Sequence, residues 1–199
     1  LPAPGIMKLR LFVKGEQRRP ELNAQVAKLE KLLGNAILAE KDIPIEQILG
    51  ERLFEKGLTL GTAESCTGGN IAHLITSISG SSHYFKGAIV SYANEVKEAV
   101  LHVRKETLTH WGAVSEDVVM EMAEGASKAL GVDCSIAVSG IAGPEGGTED
   151  KPVGTVWICT KYRAKLLTRK YTLGKFRDAN IMRASNVAML QMLSMLDNE

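Results

Sequence analysis

Cysteine is scarce in this sequence, and what there is does not pair. Cys66, Cys134 and Cys159 are an odd number at wide spacing with no CxxC among them, so neither a disulfide scaffold nor a zinc or redox centre follows, and a reduced, cytoplasmic setting is expected. Aromatic residues make up only 5% of the chain and the formal net charge is +1, which gives no broad field to attract nucleic acid or an acidic membrane surface. Long apolar runs are missing as well. The segments Ile136 to Val138 and Gly154 to Cys159 are strand-length, far short of the roughly 20 residues of a membrane helix, and the opening residues lack the basic-then-apolar order of a signal peptide. The four histidines, His73, His83, His102 and His110, form no i, i+4 pair and no HExxH, so no metal is expected. What remains, 45% hydrophobic and 24% charged over 199 residues, describes a globular protein with length enough for one sizeable core and a small appendage. The chain opens on Leu1 rather than Met, and a piece of a longer protein is the expectation.

The first forty residues have a pattern of their own. Alternation from Ile6 to Val13 predicts a strand, the period of Leu22, Val26, Leu29, Leu32 and Leu33 predicts a helix, and Ala36 to Ala39 predicts a second short strand. The charged stretch EKDIP ending at Pro44 reads as a linker, which divides the chain into a small α/β segment, 1–43, and a main domain, 44–199. From Ile45 onward helical and strand-like segments alternate, as in an α/β sheet with crossover helices. Gly57 and Gly131 sit where helices should stop, and Ser115 stands ahead of Glu116 and Asp117 as a cap. The stretch CSIAVSG predicts a buried strand, VGTVWICTKY and LLTRKYTL a hairpin, and Arg177 to Leu196 a closing amphipathic helix.

Three junctions at the carboxyl ends of strands can carry chemistry, because open α/β sheets bind ligands there. In ESCTGG, Ser65 is either a nucleophile or a turn and cap residue. Glu64, Cys66, Thr67, Gly68 and Gly69 surround it, and free amides at a helix start suit a phosphate or an oxyanion. In SYANEVK, Tyr92 ends a strand, Asn94 opens a helix, and Lys97 lies one turn in. Lys97 is either a solvated lysine or, if desolvated, a base of the Ser–Lys type. The third junction, SGIAGPEGG, offers Ser139 and the glycines Gly140, Gly143, Gly146 and Gly147 for close backbone contact, or is merely a flexible connection. It matches neither the dinucleotide nor the triphosphate fingerprint. Arg177, ahead of the last helix, can serve a phosphate or stand as a surface arginine. Cys66 is the second choice of nucleophile.

The strings AESCTGG, SYANEVK, WGAVSE, SGIAGPEGG and KPVGTV, in this order, closely resemble the C-terminal domain of the CinA (competence/damage-inducible) family over about Ile45 to Leu196. The resemblance implies a three-layer α/β/α sandwich that hydrolyses nicotinamide mononucleotide to nicotinate mononucleotide and ammonia in pyridine nucleotide recycling, with no metal or other cofactor. It places the family's serine, tyrosine and lysine on Ser65, Tyr92 and Lys97, and leaves open which of Tyr92 and Lys97 meets the serine. It also implies a homo-oligomer, a dimer being favoured. The opening segment looks like the small KH-like middle domain of longer members, yet it lacks the GXXG clamp of RNA-binding modules, so no nucleic-acid partner is expected. The competing expectation is a regulatory module that binds a pyridine nucleotide with little or no turnover.

Overall fold

Strand β1 (Leu60–Glu64) has all five of its residues buried, because it lies inside the sheet with helices over both faces. The computed structural model describes residues 6–197. In it five strands are ordered β2-β1-β3-β4-β5, the others being β2 (Phe85–Val90), β3 (Cys134–Gly140), β4 (Thr155–Tyr162) and β5 (Lys165–Thr172). β1 runs parallel to both β2 and β3, while β4 and β5 close the sheet as an antiparallel hairpin. Seven α-helices occur among the described residues: α1 (Arg19–Leu33), α2 (Ile45–Glu55), α3 (Asn70–Thr76), α4 (Asn94–Leu101), α5 (Lys105–Trp111), α6 (Glu116–Leu130) and α7 (Arg177–Asp197). No helix among the described residues is long and apolar enough to cross a membrane.

Strand alternation sorts the side chains into two cores. Leu60, Ile136, Val138, Val156 and Ile158 face α2, α3 and α7, where Leu49, Leu53, Ile71, Met189 and Met192 complete one cluster. Ala63, Ala137 and Cys159 face α4, α5 and α6, meeting Leu101, Leu108, Val118 and Met122. The result is the expected three-layer sandwich. Small strand residues on the second face let α6 come close, and α6 in turn holds α4. A Cβ at Gly125 of α6 would lie 2.0 Å from the Leu101 carbonyl oxygen, so any side chain there would drive α4 off the sheet.

Local chemistry sets both ends of α6. The Ser115 hydroxyl accepts the Val118 amide at 3.4 Å, and α6 stops at Gly131, in the left-handed region with φ 61°. Two expectations fail. The opening segment was expected to be strand, helix, strand, but among its described residues only the helix, α1, is present: 6–13 run without ladder partners, and Gly34–Ala36 is a 3-10 turn. Alternation alone does not make a strand. A ladder needs a neighbouring edge for its amides, and residues 6–13 pair with neither edge strand of the sheet; Met7 and Phe12 are 82% exposed. Residues 1–5 of that segment lie outside the described residues. The sequence pattern also passes over α5; the amide of Arg104, the residue just before it, is held by the Glu121 carboxylate of α6 at 2.8 Å.

Candidate active site

The chain leaves β1 toward α3 on one face of the sheet and leaves β2 toward α4, α5 and α6 on the other. The loops after the two strands therefore part, which opens a crevice at their carboxyl ends. Strand alternation then assigns the side chains at this edge. Leu60, Thr62 and Glu64 point to the α3 side, and Ser65, continuing the period of Gly61 and Ala63, points to the α4 side. The ladder holds Ser65 in register, its amide donating to the Val138 carbonyl at 2.9 Å while the Ser91 amide donates to the Glu64 carbonyl at the same distance.

Lys97 projects from α4 into this edge and is 1% exposed. Its Nζ donates to Ser65 Oγ at 3.1 Å, to the Ser91 carbonyl at 2.7 Å and to the Tyr92 carbonyl at 3.3 Å. Burial pushes its pKa below the ordinary lysine range, against a smaller upward pull from Cys66 and Glu95. The three partners fit either protonation state. An ammonium donates to all three, whereas a neutral amine gives its two protons to the carbonyls and keeps its lone pair for the Ser65 hydroxyl.

Ser65 and Lys97 open onto a cavity of about 180 Å³, lined also by Cys66, Tyr92, Asn94, Ala113, Val114, Ser139, Gly140, Ala142 and Arg177. The structure thus gathers the three junctions named from sequence around one space. The Tyr92 side chain is 63% exposed and its hydroxyl stands at the rim, 3.3 Å from Arg177 Nη2. What touches Lys97 is the Tyr92 backbone. Arg177 also donates through Nη1 to the Gly143 carbonyl at 2.9 Å. The burial of Cys66 pushes its thiol up to about 12.

Several residues named from sequence do not line the cavity. Glu64 is fully buried, its carboxylate accepting the amides of Gly69, Ile71 and Ala72 at 3.1, 3.0 and 2.9 Å and the Thr62 hydroxyl at 3.2 Å. It caps α3 from the preceding strand. Gly68 and Gly69 shape the turn at φ 62° and 96°, while Thr67 is 3% exposed with its hydroxyl unpartnered. Gly146 and Gly147 belong to an exposed loop.

The same accounting narrows the amides free for a ligand. Those of Ser65, Gly68 and Gly69 are already bonded within the fold, and those of Cys66 and Thr67 donate to no other residue among the described ones. Sequence reasoning missed Ala113, Val114 and Ala142, apolar residues carrying no chemical signature, and the Ser91 carbonyl, which any residue type would supply. Among the described residues no cluster of His, Cys, Asp and Glu is placed to hold a metal ion.

This chain is similar to known proteins over most of its length. A CinA-like protein of Cytophaga hutchinsonii is 40% identical over 196 residues, 97% of this chain and 47% of its own length. The chain therefore spans about half of that relative. The nicotinamide-nucleotide amidohydrolase PncC of Escherichia coli K12 is 47% identical over 150 residues, 75% of this chain and 90% of that protein. The crystal structure of a competence-damaged protein (CinA) superfamily member from Klebsiella pneumoniae superposes with a TM-score of 0.75 at 34% identity, covering 79% of this chain and all of that one. A family model, the CinA C-terminal domain, matches residues 42–196. With that match over most of its length, the chain belongs to the CinA family.

Proposed function

We propose that residues 44–199 form an amidohydrolase that converts nicotinamide mononucleotide to nicotinate mononucleotide and ammonia. The observation that carries this reading is the buried lysine 3.1 Å from a serine hydroxyl at the mouth of a cavity. The 47% identity with the nicotinamide-nucleotide amidohydrolase of E. coli supports the choice of substrate. Neutral Lys97 takes the Ser65 proton as Oγ attacks the carboxamide carbon, and the Cys66 and Thr67 amides hold the oxyanion that develops. Lys97, now an ammonium, gives its proton to the amide nitrogen, the C–N bond breaks and ammonia leaves. Water then attacks the Ser65 ester with Lys97 again as base, which releases the carboxylate and restores the serine.

A site for a drug-sized ligand encloses roughly 300–1,000 Å³, so a cavity of about 180 Å³ takes the pyridine carboxamide and leaves the phosphate outside. Arg177 stands at that rim with guanidinium protons beyond the two it spends on Gly143 and Tyr92. Ammonia release from nicotinamide mononucleotide by the purified chain tests the reading. Binding without release would show a regulatory module instead. For Arg177→Ala, KM for the mononucleotide is expected to rise roughly 10- to 100-fold, the range of charge-assisted hydrogen bonds, while turnover of nicotinamide riboside hardly changes. Equal losses on both would remove Arg177 from phosphate recognition.

A further inference from the structure

Ser139, next to last in β3, lies beside Ser65. Val138 pairs with Glu64 across the parallel ladder, so the next residues on each strand, Ser139 and Ser65, face the same side about one strand spacing apart, ~4.8 Å. Ser139 is 1% exposed and yet lines the cavity. Its Oγ donates to the Ala113 carbonyl at 2.7 Å. A carbonyl can only accept, so the single hydroxyl proton is held there and the oxygen offers the cavity lone pairs alone. Ala113 lines the same wall. Ser139 thus presents an acceptor to the cavity, whereas Lys97 on α4 presents a donor beside Ser65.

A carboxamide has one acceptor atom and an NH₂ with two protons to give. The ionised carboxylate left by its hydrolysis has only acceptors. We infer that Ser139 is the specificity-determining residue that tells the two apart: its Oγ accepts an N–H of the scissile amide and so turns the carbonyl oxygen toward the donors. Once nitrogen is replaced by oxygen, lone pairs face lone pairs and the product is rejected. The inference rests on the amidohydrolase reading above and adds to it the device by which substrate is held and product released.

The test measures binding of nicotinamide mononucleotide and nicotinate mononucleotide by calorimetry in a Ser65→Ala background, where no turnover intrudes. Adding Ser139→Ala is expected to lower the preference for amide over acid by roughly tenfold, the worth of one buried hydrogen bond. Ser139→Cys, close in size but a poor acceptor, should lower it similarly, and Ser139→Thr, which keeps the hydroxyl, should restore it. With Ser65 intact, Ser139→Ala should also make the acid a stronger inhibitor relative to KM for the amide. Melting curves show which variants are folded, and the Cys variant carries the test if the Ala variant is not. An amide-to-acid ratio unchanged in folded Ala or Cys variants would overturn the inference while leaving the amidohydrolase reading in place. Failure of both mononucleotides to bind the background protein would overturn that reading and this inference with it.

Discussion

Ser65→Ala is expected to lower ammonia release by about four to six orders of magnitude, the usual cost of losing a nucleophile from a working site, with binding of the mononucleotide kept. The substitution removes one hydroxyl and leaves the rest in place. Lys97 retains the Ser91 and Tyr92 carbonyls, and the turn that presents the Cys66 and Thr67 amides is held by the Glu64 carboxylate. The adjacent thiol is no substitute. With Cys66 pushed up to about 12 by burial, its thiolate fraction at neutral pH is on the order of 10⁻⁵, so Cys66→Ser should keep most of the activity. Turnover is followed as ammonia and the acyl-enzyme by mass spectrometry. A covalent adduct on Cys66 with activity intact in Ser65→Ala would move the nucleophile by one residue.

Lys97→Met, which keeps length and loses the amine, is expected to reduce kcat by about 10²- to 10⁴-fold, the range for a general base, with KM little changed. A base acts in the transition state, whereas a ground-state anchor acts in both, so parallel losses in kcat and KM would make Lys97 an anchor instead. The pH profile of the unaltered protein carries the same information. The active form is the neutral amine, and burial lowers its pKa. The rate should therefore climb with pH as Lys97 deprotonates, and level off below the ordinary lysine value of ~10.4. A flat profile, or a rise only at that value, would contradict the assignment. Stability has a matching sign. Below its folded pKa the buried ammonium costs the fold stability, and the cost fades as pH rises toward the unfolded value, because in that window the unfolded chain binds the extra proton.

Two carboxylates show where local sequence stops being informative. Helices α3 and α5 have no side-chain cap of their own; Glu64 from the preceding strand takes the first amides of α3, and Glu121 from α6 takes the amide of Arg104 just ahead of α5. Read along the chain, Glu64 sits in the motif beside the serine and is easily taken for a ligand-binding group. Only strand alternation, with α3 packed on one face, shows that its carboxylate turns away from the crevice. Seven-residue α5 falls below what periodicity detects, since its stability comes from Glu121 and the core.

The sequence by itself determined what depends on near neighbours. Apolar periods set the order of strands and helices from Ile45 onward apart from α5, glycines at 57 and 131 ended helices, and the three junctions were named because a serine, a lysine and a run of glycines stood at the carboxyl ends of strands. Tertiary structure decided which of those groups meet. Ser65 and Lys97 are 32 residues apart and come together because β1 and β2 pair in parallel while Gly125 lets α4 lie against α6. It also separated the Tyr92 hydroxyl from that pair and sent it to Arg177, and it left the opening segment without the strands its alternation promised. The physical reason is the same throughout. Backbone preference and burial period act over a few residues and are written locally, whereas a ladder edge, a desolvated ammonium or a hydroxyl whose proton is already held is created by what the fold brings alongside.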